Sequence, residues 1–272
     1  MAVRGRDIGL RAASALVLAP VALLAVWFGG PWILGVLLIA CVVLSVEWAR
    51  MSAPSDWKAI AAAVAVALAA VLLSDPNEAL SFSLVLLVFG GAAAGLFARA
   101  RRESAIDAAY GVLYLGWPAL LLIWLRDGNT AVGFYWVTLA FVVAWASDIV
   151  AFLVGSVVGG PKLWPRFSPN KTWSGFIGGL LAGTLAGAAM VALPEAGVRS
   201  IEWSALLGLA GALATMAGDL WESALKRRFG VKDAGTLIPG HGGLMDRVDG
   251  LMFAIVVIAI GRAVSLYFGG GA

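Results

Sequence analysis

Charge is scarce in this chain. Asp, Glu, Lys and Arg make up 13% of its 272 residues, against 61% hydrophobic, where a soluble domain carries roughly a quarter. That excludes an ordinary water-soluble domain. The one cysteine, Cys41, lies in an apolar run, which rules out an intrachain disulfide and a cysteine-built metal site. With one histidine, His241, neither a His/Cys zinc centre nor a Ser-His-Asp triad is easily assembled. No internal repeat and no low-complexity linker are visible, so one membrane-embedded domain over residues 1–272 is expected. A net charge of +3 is modest; no nucleic-acid partner is expected, and the placement of the charges carries more information than their sum.

Apolar residues, by contrast, come in long continuous runs. A bilayer core of about 30 Å needs roughly 20 apolar residues per helix. That ruler places spans near 11 to 28, 31 to 48, 58 to 74, 79 to 98, 106 to 125, 131 to 157, 173 to 193, 202 to 225 and 247 to 268. Strands are not expected, because the runs do not alternate and only helices or closed barrels satisfy the backbone in lipid. The fold class is therefore an all-α polytopic membrane protein with about nine transmembrane helices. Arg4, Arg6 and Arg11 precede the first run, which is read as an uncleaved span rather than a signal peptide. With a cytoplasmic N-terminus, only Arg126 and Arg199 of the 19 Lys and Arg fall in the opposite loops, and Arg262 lies within the last span. The rest gather on one side, which places that side in the cytoplasm.

Spans before residue 130 are rich in Ala, Leu and Val and read as scaffold; residues 131–272 hold the polar clusters. Glu47 and Asp107 sit near span ends and read as interfacial, as do Trp27, Trp32, Trp48 and Trp57. Within the sixth span, Asp148 follows Ser147 at a depth of about 13 Å. A carboxylate there costs about 2.5–3.5 kcal/mol, so it should line a wet cavity or bind a cation, a structural pairing being the alternative. The loop GGPKLWPRFSPNKTWSG has Pro161, Pro165 and Pro169 to hold it as an ordered turn. Asn170, Lys171, Thr172 and Ser174 then meet the start of the seventh span, either as a phosphate site at a helix N-terminus or as a helix cap with a snorkelling lysine.

The densest polar stretch runs from Ser223 to Gly250. Asp219, Glu222, Ser223 and Lys226 share one face of the eighth span by helical spacing, and Glu222 reads as the partner of an intrahelical ion pair. Asp246 and Asp249 stand three residues apart at the start of the ninth. Two carboxylates facing one way repel unless a cation lies between them, and a hard divalent metal is the natural partner. His241, in PGHGG, is open as a nucleotide contact, an acid or base, or a turn residue.

From Ser223 through Asp249 the positions SxxKRxxxxKDxGxxxPGHGGxxDRxD are all filled, and the stretch resembles the signature of the phosphatidate cytidylyltransferase family, the CDP-diacylglycerol synthases. The resemblance extends to SDIVAFLVG (Ser147 to Gly155) and SPNKTWSG (Ser168 to Gly175), similar to the family's SDxGAYxxG and SPxKTWEG. Val150, Phe152 and Ser174 depart from the usual glycine, tyrosine and glutamate. A role resting on that tyrosine or glutamate is not carried over.

The resemblance implies an enzyme, a nucleotidyltransferase of phospholipid synthesis: CTP and phosphatidate give CDP-diacylglycerol and pyrophosphate. It implies Mg2+, with a second cation as an open alternative, a homodimer, membrane lipids as surroundings, and the cytoplasmic (inner) membrane of a bacterium. Asp219, Asp246, Lys226 and Arg247 are the expected catalytic residues. Lys171, Thr172, Ser223, Arg227, Lys232, Asp233 and His241 are expected to bind substrate, and Asp148, Asp219, Asp246 and Asp249 to bind metal. Two rivals remain: a CTP-dependent polyprenol or phytol kinase, which would release CDP, and a cation-coupled transporter using Asp148 and Asp219.

Overall fold

A computed structural model describes residues 20–127, 130–165, 168–193, 200–235 and 242–268. Helices dominate: α1 (described over residues 20–28), α2 (Gly30–Ser52), α3 (Trp57–Leu72), α4 (Leu80–Ala100), α5 (Ala105–Arg126), α6 (Ala131–Val157), α7 (Trp173–Ala189), α8 (Ile201–Arg228) and α9 (Met245–Phe268). Among the described residues seven of these are long and apolar enough to cross a membrane, as expected of a nearly all-α multi-pass protein. The helix expected over 58 to 74 is α3, whose 16 residues reach only about 24 Å, less than a bilayer core. Half of the first expected span, with Arg4, Arg6 and Arg11, lies outside the described residues.

One expectation is corrected. Lys162–Trp164 and Ser168–Thr172 form an antiparallel hairpin, β1 and β2, with Lys162 opposite Thr172 and Trp164 opposite Ser168. Prolines do not forbid it, because a two-stranded ribbon is all edge and Pro169 needs no ladder donor on its outer side.

The chain divides into two compact units, Met1–Trp124 with Arg228–Val248, and Leu125–Arg227 with Asp249–Ala272. In the first, α2 packs on α3 and α3 on α4, around fully buried Trp48, Leu68, Leu87, Leu115 and Leu120. Trp48 is thus a core residue and not the interfacial anchor expected from its place at a span end. Much of the signature segment belongs with these early helices.

In the second unit α7 packs along α6 through a buried row of glycines, Gly175, Gly179, Gly183 and Gly187. A Cβ at Gly175 would meet Ala151 O at 2.6 Å, at Gly179 Ser147 O at 2.9 Å, and at Gly187 Ser204 O on α8 at 2.5 Å. Without side chains the backbones come into contact, the device that replaces the hydrophobic effect between helices in lipid. Arg262, in the last third of α9, is 6% exposed. It donates to Leu125 O and to Asp127 Oδ2, each at 2.9 Å.

Candidate active site

Carboxylates of the second unit gather around Asp249. Asp219, Glu222 and Asp148 all act electrostatically on it, and two lysines stand among them. Lys171 Nζ lies 2.5 Å from Asp219 Oδ2, the two side chains 31% and 22% exposed, and Lys226 Nζ lies 2.5 Å from Glu222 Oε2 one helical turn away. Glu222 is 1% exposed, so its carboxylate is held by Lys226 where an unpaired charge would be costly. Glycines set the crossing of α8 and α9: a Cβ on Gly218 would strike Asp249 O at 2.5 Å, and one on Gly250 would meet Asp219 Oδ1 at 2.9 Å. The two oxygens of Asp219 are therefore employed differently, Oδ2 by Lys171 and Oδ1 against α9.

Thr172 proves to be a cap. Its Oγ1 accepts from Gly175 N at 3.2 Å, and the residue is 5% exposed. Ser174, in the place of the family's glutamate, hydrogen bonds Thr172 at 3.0 Å and donates to Gly159 O. Of the two readings for this turn, capping accounts for Thr172, while Lys171 reaches past the helix end to Asp219. Asp148 is exposed on α6.

The first unit holds a second polar knot at the start of α9. Asp246 Oδ2 accepts from Gly243 N at 2.7 Å and from Ala234 N at 3.1 Å, tying together described residues on either side of positions 236–241. Glu47, from α2, accepts from Leu244 N at 2.7 Å with Oε1 and from Met245 N at 2.8 Å with Oε2. A Cβ on Gly235 or Gly243 would meet the Glu47 carboxylate at 2.9 and 2.7 Å. Those two signature glycines admit the carboxylate, and Gly242, at φ +85°, makes the turn that side chains rarely adopt. At the other end of the segment Arg228 NH2 lies 2.5 Å from Asp107 Oδ1. Asp107 O accepts from Trp48 Nε1 at 2.9 Å, and Phe229 packs edge-on against Trp48.

Glu47, Trp48 and Asp107 escape sequence reasoning because each looks like an ordinary interfacial residue. The available signal is that two acids at span ends lack an obvious purpose where a bilayer discourages charge. Ser223 is half-buried, and Arg227, Lys232, Asp233 and Arg247 are exposed; His241 lies outside the described residues. Among the described residues no three Asp, Glu, His or Cys side chains are arranged to hold a metal by themselves.

Helices long and apolar enough to cross a membrane, holding lysine–carboxylate pairs within the second unit, define an integral membrane protein with a built polar site. The model of the cytidylyltransferase family matches residues 9–264. The chain is 36% identical to the phosphatidate cytidylyltransferases of Brucella abortus (strain 2308) and Brucella suis biovar 1 over 261 residues, 93% of this chain and 93% of each relative. It is 37% identical to that of Staphylococcus aureus (strain COL) over 162 residues, 58% of this chain and 60% of the relative. The chain belongs to the cytidylyltransferase family.

Proposed function

We propose that this enzyme joins the cytidylyl group of CTP to phosphatidate, releasing CDP-diacylglycerol and pyrophosphate. The observation that carries the reading is the match along 93% of the chain to relatives of that name, with the signature from Ser223 to Asp249 complete. A phosphate oxygen of the lipid attacks the α-phosphorus of CTP, the bond from that phosphorus to the bridging oxygen breaks, and pyrophosphate leaves. Phosphatidate is a phosphate monoester, already ionised near neutral pH, so no general base is required. The task left to the protein is to bring two anions together and hold them in line.

Mg2+ is the cofactor in this reading. The donors present suit it: hard carboxylate oxygens of Asp249, Asp219 and Asp148 act on one another, while Glu222 is already held by Lys226 and one oxygen of Asp219 by Lys171. Mg2+ takes one or two carboxylates and completes its shell with water and phosphate, so a built cluster of three is not needed. Asp219 and Asp249 would hold it, with Asp148 beside them and Asp246 assigned from the signature; bound there, it would neutralise phosphate charge. Lys171, Lys226, Arg227, Lys232 and Arg247 supply positive charge for the two substrates, and Ser223, Asp233 and His241 complete the substrate contacts. Thr172 contributes by fixing Lys171 at the start of α7.

The positive-inside bias supports a site facing the cytoplasm, where a soluble nucleotide meets a bilayer lipid; the bacterial relatives support the inner membrane of a bacterium, and the family resemblance implies a homodimer. Purified protein given CTP, Mg2+ and phosphatidate should form pyrophosphate and CDP-diacylglycerol in equal amounts. Release of CDP with a polyprenol or phytol as acceptor would replace the reading by a kinase.

A further inference from the structure

Glu47 stands apart from every residue that the signature names. It lies on α2, close to two hundred positions before its partners, and is 3% exposed. A carboxylate buried that far needs strong partners, and it takes two backbone N–H groups at the start of α9, those of Leu244 and Met245. The N–H before them, on Gly243, goes to Asp246. Three consecutive donors that a helix N-terminus ordinarily offers to a bound anion are thus taken by two of the protein's own carboxylates. The first turn of α9 is a fixed support from which Asp246 and Arg247 project, and not an open phosphate cradle.

We infer that Glu47 is a positioning residue for the transferase reaction: its carboxylate locks the first turn of α9 and so sets the orientation of Asp246. This inference rests on the cytidylyltransfer reading above. Glu47 touches no substrate in it. Its removal therefore acts on the alignment of the reacting groups more than on nucleotide affinity, and misplacement on this scale lowers turnover by about 100-fold.

The test compares wild type, Glu47→Ala and Glu47→Gln, in detergent, with CTP varied at saturating phosphatidate. Expected for Glu47→Ala is a kcat about 100-fold down with the KM for CTP within about twofold of wild type. Added formate should restore part of that kcat by filling the vacated anion position over Leu244 and Met245. Glu47→Gln keeps the shape but offers one acceptor for two donors, and should lose about tenfold in kcat with KM likewise held. An unchanged kcat in Glu47→Gln overturns the inference, and so does a KM rising in step with the fall in kcat and unmoved by formate. Should Glu47→Ala fail to fold, the kcat and KM of Glu47→Gln decide. Should wild type prove to make no CDP-diacylglycerol, amide exchange decides separately. The Leu244 and Met245 amides of Glu47→Gln should then exchange at least about tenfold faster than wild type, and an equal rate overturns the clasp itself.

Discussion

Gly250 on α9 faces Asp219 on α8 so closely that a Cβ there would meet Asp219 Oδ1 at 2.9 Å and Thr215 Cγ2 at 2.7 Å. The glycine is what lets a carboxylate occupy the crossing of two apolar helices. Its counterpart, Gly218, does the same for the backbone of Asp249.

Gly250→Ala should therefore damage the site from a position with no chemistry of its own. One added methyl forces either the Asp219 carboxylate or the helices to shift, at about 1–3 kcal/mol. CDP-diacylglycerol formation should fall by about tenfold or more while the melting temperature drops by a few degrees, about what that destabilisation produces. Wild-type turnover in Gly250→Ala would show that the crossing has slack.

Lys171 and Asp219 should behave as a unit. Both are less than a third exposed, so removing one leaves the other's charge poorly solvated, whereas removing both relieves the conflict. In a double-mutant cycle of Lys171→Met and Asp219→Asn, melting temperatures should reveal a coupling of about 1 kcal/mol. Strict additivity would mean that the pair is not formed. Activity should be lost in all three variants, because the proposed mechanism assigns Asp219 to the metal and Lys171 to the substrates.

This pairing marks what the sequence leaves illegible. Helical periodicity puts Asp219, Glu222, Ser223 and Lys226 on one face because the information is local, within two turns of one helix. The Lys226–Glu222 pair is legible for the same reason. Lys171 and Asp219 are 48 residues apart, Arg228 and Asp107 121 apart, and Met245 and Glu47 198 apart; nothing in hydropathy or spacing links them. The long apolar helices are legible because the bilayer imposes one length on all of them. The hairpin is not, because its strands are short and proline-rich and gain their order from the hairpin's own pairing and from α7.

Trp48 offers a stability test in the helices that read as scaffold. It is fully buried and gives its indole N–H to Asp107 O, the residue that also holds Arg228. Trp48→Phe should lose that hydrogen bond and some packing, about 1–2 kcal/mol, while Trp48→Ala should lose about 3–5 kcal/mol by opening a cavity. Thermal unfolding in detergent orders the two variants; equal melting temperatures would place Trp48 outside the core.

Asp246→Asn separates structure from chemistry at the start of α9. The amide keeps one oxygen able to accept from Gly243 N and Ala234 N, the bonds made by Oδ2, but carries no charge for a metal. The variant should melt within a few degrees of wild type, since one acceptor oxygen is preserved, and should make no detectable CDP-diacylglycerol. Full activity would take Asp246 out of the proposed metal site.

The most direct test follows the phosphorus atoms of CTP. Incubated with phosphatidate and Mg2+, the purified enzyme should move label from the α-phosphorus of CTP into the lipid, and label from the γ-phosphorus into pyrophosphate. Label from the γ-phosphorus appearing in the lipid would contradict cytidylyl transfer.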